Sequence, residues 1–171
     1  SIYNCRKPVI AMVEGYALAG GCGIASACDM IVSASNAQFG YTEVKIGYIP
    51  AIVMVFLLKR VSESYAKDLL LTSKFITAQE AYRIGFVNYI IEQPMLESYT
   101  ENICKTLNKM PMSSIMLTKE MFRNVSNMSF ESALEYAAGM NTITRMTKEC
   151  KEGLARFLGK DSEEHKKNNK E

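Results

Sequence analysis

Short apolar runs at the start of the chain give way to helical stripes in its second half. Residues 7–13 contain Pro8 followed by a nearly continuous apolar run, which predicts a strand covered on both faces. The small residues of 20–28 predict a helix whose backbone packs close to its neighbours. Residues 29–36 and 37–41 predict two more short strands. This order of strand, helix, strand and strand indicates an α/β layered fold.

The middle of the chain predicts a loop followed by two helices. Residues 42–50 are punctuated by glycine and proline and predict a turn and loop. A helix is expected over residues 51–58, directly after Pro50, where proline is tolerated. Ser62 begins the next helix, and residues 71–75 form its exit.

A further helix carries clear end signals. Thr77 and Glu80 have the spacing of a capping box, in which each side chain satisfies a backbone donor of the other residue. This helix is predicted to run to Ile84, with Gly85 as its C-cap. Residues 86–91 first alternate between apolar and polar side chains and then become continuously apolar, which predicts a strand.

Only helices are expected after Pro94. They are predicted over about residues 95–110, over about 113–125, and from Ser129 with an interruption near Thr147. One face of the last helix carries a mostly apolar or small stripe, which suits packing in the core and packing at an oligomer interface equally well. The stripe consists of Phe130, Ala133, Leu134, Ala137, Ala138 and Asn141.

The same pattern gives the expected division of the chain. Residues 1–93 are predicted to form the α/β core, and residues 94–158 a helical region. Residues 159–171 are almost wholly polar and charged, which predicts a frayed tail.

Composition narrows the classes of function. The 171 residues are 48% hydrophobic, which is enough for a packed core, and the net charge of +2 gives no reason to expect a nucleic-acid partner. The longest apolar run, residues 51–58, is far shorter than the roughly 20 residues of a membrane span. The first residues do not have the pattern of a secretory signal.

The cysteines and the single histidine exclude several chemistries. Five scattered cysteines without a C-x-x-C pair are typical of reduced thiols in a cytosolic or organelle-matrix enzyme, and we expect a cytoplasmic protein. They also give no disulfide framework and no zinc site. His165 lies in the charged tail, so a histidine-based triad and a histidine metal cluster are not expected.

Two features carry candidate chemistry. Gly20 and Gly21 lie where the first strand region passes into the small-residue helix, which fits a simple turn or a helix start whose free N–H groups bind an oxyanion. Glu43 lies in the following loop, where an acid is either solvated or aimed at the same carbonyl compound as the Gly20 amide. The second arrangement would serve proton transfer next to a carbonyl.

The residues that surround these two features resemble a known family. Residues 7–29, KPVIAMVEGYALAGGCGIASACD, and 37–50, AQFGYTEVKIGYIP, closely resemble the enoyl-CoA hydratase/isomerase (crotonase) superfamily, and residues 78–88 match a further family segment. The pattern GYTEVKIG followed by IPAIVMVFLL looks most like a bacterial methylglutaconyl-CoA hydratase-like branch.

The resemblance implies a fold and a substrate. The expected fold is an α/β crotonase-like spiral of ββα turns, here partial, followed by an all-helical C-terminal region that joins subunits into a homotrimer or hexamer. The expected partner is an acyl-CoA thioester. No metal and no cofactor are expected beyond the coenzyme A that is part of the substrate.

The resemblance also assigns site residues. Gly20 matches one of two backbone donors that hold the thioester oxygen over an enolate-like intermediate, and Glu43 matches a catalytic acid/base. Gly21, Gly23, Pro50 and Ala51 are assigned to substrate binding, and the N–H of Ala51 is expected to be available.

One departure from the family pattern leaves the reaction open. Hydratases of the family place two glutamates around the double bond, and the first of those positions is Gly23 here. Isomerases of the family use one glutamate, at the position of Glu43. The residue chemistry therefore favours a delta3-delta2-enoyl-CoA isomerase, whereas the overall pattern favours a hydratase.

The extent of the resemblance raises a third alternative. The chain resembles the C-terminal two thirds of a family member, and the second oxyanion donor of the family falls before Ser1. A truncated, non-catalytic oligomeric scaffold is therefore the competing hypothesis.

Overall fold

The computed structural model describes residues 2–158, which fall into two compact units divided between Thr106 and Leu107. The first unit is mixed α/β and the second is helical. The predicted division after residue 93 stays a prediction, as does the tail at 159–171, which lies outside the described residues.

Two three-stranded sheets form the frame of the first unit. One sheet has the order β1-β3-β6 and is parallel throughout, with strands β1 (Ile10–Val13), β3 (Met30–Ala34) and β6 (Tyr89–Ile91). The other has the order β2-β4-β5, with β2 (Tyr16–Leu18) parallel to β4 (Gln38–Gly40) and β5 (Phe75–Thr77) antiparallel to it. Each sheet thus joins strands that are distant in sequence.

Five α-helices connect these strands or follow them. They are α1 (Gly20–Ala27), α2 (Ala51–Leu57), α3 (Glu63–Thr72), α4 (Ala78–Arg83) and α5 (Leu96–Asn108). Short 3₁₀ turns lie at Glu43–Ile46 and Gln93–Met95. The predicted strand, helix, strand and strand order of the first 41 residues is confirmed, with β2 as an additional strand.

The core of the first unit is apolar and closely packed. Phe39 of β4 meets Phe86 edge to face, with ring centroids 5.5 Å apart. Ile31 and Val32 of β3 are fully buried, as is Leu57 of α2. Both faces of β3 are therefore covered, as its apolar sequence requires.

The end signals around α4 behave largely as predicted. The capping box is present: Thr77 Oγ1 accepts from the Glu80 N–H at 3.2 Å, and Glu80 Oε2 accepts from the Thr77 N–H at 2.9 Å. The prediction of Gly85 as C-cap was wrong by one position, because Ile84 is the C-cap and Gly85 follows it in the left-handed region at φ 81°. A glycine adopts this conformation without strain.

Several sequence predictions in the first unit were too coarse. Residues 71–75 were predicted as a helix exit, but Phe75 begins β5. The strand predicted over 86–91 is limited to Tyr89–Ile91, since Phe86 and Val87 pack into the core from a loop. The predicted loop at 42–50 contains a 3₁₀ turn. The short strands β5 and β6 depend on pairing with β4 and β3, which are distant in sequence, rather than on local pattern.

The second unit contains α6 (Met112–Val125), α7 (Phe130–Met146) and α8 (Lys148–Phe157), as the sequence predicts. The interruption near Thr147 is confirmed: Thr147 ends α7 and its hydroxyl caps α8 by accepting from Cys150 N–H at 3.2 Å. Glu149 Oε2 accepts from the Ser113 N–H at 3.1 Å and so caps the start of α6.

The apolar stripe of α7 does not form a core in the described chain. Phe130 is 75% exposed and Leu134 is 55% exposed, whereas Met140 on the same helix is buried. Of the two alternatives left open for this stripe, the core position is therefore not observed.

Candidate active site

Helix α1 begins with backbone N–H groups that have no acceptor within the helix. Its first helical hydrogen bond runs from Gly23 N–H to Ala19 O at 2.9 Å, so the N–H groups of Gly20, Gly21 and Cys22 precede it. Ala19, the N-cap, has no side chain that could accept from them. These three amides can donate to an anionic or carbonyl oxygen of a ligand.

The turn that presents these amides is unusual and is anchored from one side. Ala19 has φ 46° and ψ −119°, a conformation that L-residues other than glycine rarely adopt. Its N–H donates to Gly40 O at 2.8 Å, which fixes the turn to the end of β4. Strain of this kind is stored where the surrounding structure imposes it, and it concentrates at functional sites.

The glycines of α1 differ in what surrounds them. A Cβ on Gly20 or Gly21 would meet no protein atom within 4 Å. On Gly23 it would lie 2.3 Å from Val53 Cγ1 of α2. Packing therefore explains the glycine at position 23, but within the described chain it does not explain those at 20 and 21.

Glu43 occupies the first position of the 3₁₀ turn that follows β4. The turn is closed by Tyr48 N–H, which donates to Glu43 O at 3.0 Å, and by Gly47 in the left-handed region at φ 75°. The Glu43 side chain is half-buried, and its Oε2 is buried with no hydrogen-bond partner among the described residues. A buried carboxylate oxygen without a donor is costly and calls for an explanation.

Glu43 interacts electrostatically with Cys22, which lies in the first turn of α1. Burial raises the pKa of the Cys22 thiol to about 12, and the negative charge of Glu43 adds to this effect. The pKa of Tyr41 is also raised, first by burial, then by Cys22, and in part by Glu43. Cys22 and Tyr41 therefore stay neutral near pH 7, and Cys22 is no nucleophile there.

Pro50 and Ala51 lie at the start of α2. Pro50 is buried and is the N-cap of this helix, while Ala51 is exposed. The expectation that the Ala51 N–H is available was wrong, because it donates to Ile49 O at 2.8 Å. A tight turn before the helix takes up this donor.

The structure thus brings only part of the predicted set together. Cys22, which follows Gly20 and Gly21 in the first turn of α1, interacts electrostatically with Glu43, while Gly23 is in contact with α2. Sequence reasoning did not identify Val53, which lies in an apolar run that gave no sign of its contact.

Residues 2–158 contain neither a cluster of metal ligands nor a membrane-spanning helix. No group of three or more His, Cys, Asp or Glu side chains in this range could hold a metal ion. Within the same range, no helix has the length and apolar character needed to cross a membrane.

Comparison with known proteins identifies a family whose members are similar to this chain over most of its length. The family model described as enoyl-CoA hydratase/isomerase matches residues 1–168. A Thermus thermophilus protein named as a candidate enoyl-CoA hydratase is 40% identical over 93% of this chain and 63% of its own length. The crotonyl-CoA hydratase of Syntrophomonas wolfei is 36% identical over 91% of this chain and 60% of its own length.

A solved structure shows the same fold. The enoyl-CoA hydratase of Mycobacterium smegmatis superposes with a TM-score of 0.89 at 28% identity, covering 93% of this chain and 62% of that one. The chain spans less than two thirds of the length of each of these three proteins. The predicted crotonase-like α/β fold is confirmed, and the chain belongs to the enoyl-CoA hydratase/isomerase family.

Proposed function

We propose that the full-length protein transfers a proton at the carbon next to the carbonyl of an enoyl-CoA thioester. The observation that carries this proposal is the buried, unpartnered Oε2 of Glu43 near the first turn of α1. An acid/base close to amides that could hold the thioester oxygen is the pairing that enolate chemistry requires.

Each residue has a defined role in this scheme. The Gly20 N–H donates to the thioester oxygen as negative charge develops on it, and the open space at Gly21 admits the thioester. Glu43 takes the proton from carbon and returns it, a step that contributes about 10²- to 10⁴-fold to the rate. We assign Pro50 and Ala51 to the wall of the substrate site.

Isomerisation and hydration of an enoyl-CoA both use this proton transfer, and the contact between Gly23 and Val53 favours isomerisation. Shifting a double bond needs a single acid/base, whereas adding water needs a second group to activate the water. Gly23 has no ionisable side chain, and Val53 Cγ1 occupies the space that a side chain at position 23 would enter. This contact favours the isomerase, while the names of the relatives favour hydration.

Two substrates separate these reactions. With a 3-enoyl-CoA, an isomerase produces the conjugated 2-enoyl thioester, and its ultraviolet absorbance rises. With a 2-enoyl-CoA, a hydratase removes this absorbance by adding water. Turnover of neither thioester by the full-length protein would contradict the proposed function.

The competing proposal is a non-catalytic scaffold. The exposed apolar stripe of α7, with Phe130 and Leu134, supports a role in subunit contact, and Gly23 removes one acid from the family pattern. Thermal-shift titration with an acyl-CoA decides between the two: a working site raises the melting temperature with ligand concentration, and a scaffold does not respond.

Finer assignments complete the proposal. We assign the protein to a methylglutaconyl-CoA hydratase-like branch, and the chain to the C-terminal two thirds of a longer member. We also propose a homotrimer or hexamer in the cytoplasm, without a metal or a cofactor beyond the coenzyme A of the substrate. Turnover of 3-methylglutaconyl-CoA in preference to crotonyl-CoA would support the branch.

A further inference from the structure

The sequence of α1 does not by itself hold this helix in place. Three of its eight residues are glycine, and each costs roughly 1 kcal/mol of helix stability relative to alanine. Its N-cap, Ala19, makes no side-chain cap and has φ 46°. The position of the first-turn amides therefore depends on contacts that other parts of the chain make with α1.

Arg60 makes such a contact at the opposite end of the helix. Its Nε donates to Ser26 O at 2.8 Å, and its Nη2 donates to Cys28 O. Ser26 is in the last turn of α1 and Cys28 is its C-cap. The carbonyl groups of these two residues therefore receive no hydrogen bond from an N–H group within the helix. The last turn of α1 contains no basic residue of its own, and Arg60 supplies the cation that a helix C-terminus favours.

Arg60 is itself held by its surroundings. It follows α2, and its N–H donates to the carbonyl of the fully buried Leu57 at 2.9 Å. Gly85 lies against it, since a Cβ on Gly85 would be 3.6 Å from Arg60 O. Burial lowers the pKa of the guanidinium, and the negative charge of Asp29 is among the effects that oppose this shift. The side chain thus connects α1 to a fixed part of the core.

We propose that Arg60 is a positioning residue that holds α1 so that its first-turn amides meet the thioester oxygen. The helix is about 12 Å long, so a tilt at its C-terminus displaces the amides at its N-terminus. A misplacement of about 1 Å in an active site can cost roughly 10²-fold in rate. This inference rests on the proposed function, in which the Gly20 amide is an oxyanion donor.

The test uses Arg60→Met and Arg60→Lys in the full-length protein, with Arg83→Met as the matched control. Arg83 is exposed and lies 5.8 Å from the centre of the Tyr65 ring, so its replacement removes an arginine side chain and its charge from a position on α4 rather than beside α1. Lysine keeps the charge of Arg60 but cannot donate from a planar fork to two carbonyls. Where Arg60→Met does not fold, Arg60→Lys decides.

Turnover and affinity give the first readout. We expect kcat per folded molecule to fall about tenfold in Arg60→Met and less in Arg60→Lys, because the loss lies in the transition state. Affinity for a saturated acyl-CoA should change less than twofold, and Arg83→Met should match the wild type. A purely structural role would lower the melting temperature and leave kcat per folded molecule unchanged, which would overturn the proposal.

Hydrogen exchange without ligand separates this inference from the proposed function. The Gly23 amide, which donates to Ala19 O, should exchange several-fold faster in the Arg60 variants. The Ile84 amide, which donates to Glu80 O at 3.1 Å in α4, should keep its wild-type rate. Equal acceleration at both amides would show global destabilisation and overturn the role of Arg60. Wild-type protein that turns over no acyl-CoA would instead contradict the proposed function alone.

Discussion

Gly23 of α1 and Val53 of α2 are in such close contact that a Cβ built on Gly23 would lie 2.3 Å from Val53 Cγ1. This pair joins the helix with the candidate oxyanion amides to the helix that follows Pro50. It also leaves no room for an acid at position 23. This contact is therefore one of those that hold α1 in place, and it keeps an acidic side chain out of position 23.

The contact between Gly23 and Val53 predicts a specific pair of effects on stability. Gly23→Ala should lower the free energy of unfolding by about 1–3 kcal/mol, because the added methyl overpacks the contact. Adding Val53→Ala should recover most of this loss, because it makes room for the methyl. Urea unfolding of the two single variants and the double variant measures the coupling; additive effects would contradict it.

Gly21→Ala should separate stability from binding. A Cβ at position 21 meets no protein atom within 4 Å. The free energy of unfolding of the variant should therefore stay unchanged or rise by up to about 1 kcal/mol. The same methyl should obstruct a bound thioester and weaken acyl-CoA affinity. Calorimetry gives both quantities, and a less stable variant with unchanged affinity would contradict this interpretation.

The donor role of the Gly20 N–H is testable without changing a side chain. Replacing the amide that precedes Gly20 by an ester removes the N–H and keeps the backbone shape. If this N–H stabilises the oxyanion, kcat should fall about 10²- to 10³-fold, as loss of one oxyanion donor does. The matched control is an ester at Ile84, whose N–H donates to Glu80 O in α4 rather than within α1, and for which kcat should stay close to the wild type.

The buried thiol of Cys22 predicts a loss of stability at high pH. Its pKa rises from 9.0 to about 12 on folding, so above pH 9 the unfolded chain loses a proton that the native chain keeps. This group then lowers stability by up to about 1.4 kcal/mol per pH unit between pH 9 and pH 12. Urea unfolding should show that the free energy of unfolding falls more steeply with rising pH in the wild type than in Cys22→Ala. The exposed Cys104 serves as control, and Cys104→Ala should follow the wild type.

Local sequence pattern was sufficient for part of this architecture. The start of α1 at Gly20, the capping box of Thr77 and Glu80, and the break at Thr147 all depend on residues within one turn of each other. Their signals are therefore present in the sequence itself. Glu43 was identified through the motif around it.

Other features depend on tertiary contacts that no local pattern contains. Strands β2 and β5 have three residues each and exist because both pair with β4. Val53 reaches Gly23 across thirty positions, and Arg60 reaches Ser26 across 34. The turn that engages the Ala51 N–H with Ile49 O is likewise a product of the folded chain.

The central claim, that Glu43 moves the proton, is tested most directly by Glu43→Gln in the full-length protein. The measurement is incorporation of solvent deuterium into the carbon chain of an enoyl-CoA, alongside affinity for the same thioester. We predict that incorporation falls about 10²- to 10⁴-fold while affinity stays within twofold, since glutamine keeps the shape but cannot take a proton. Deuterium incorporation at the wild-type rate in Glu43→Gln would contradict the account.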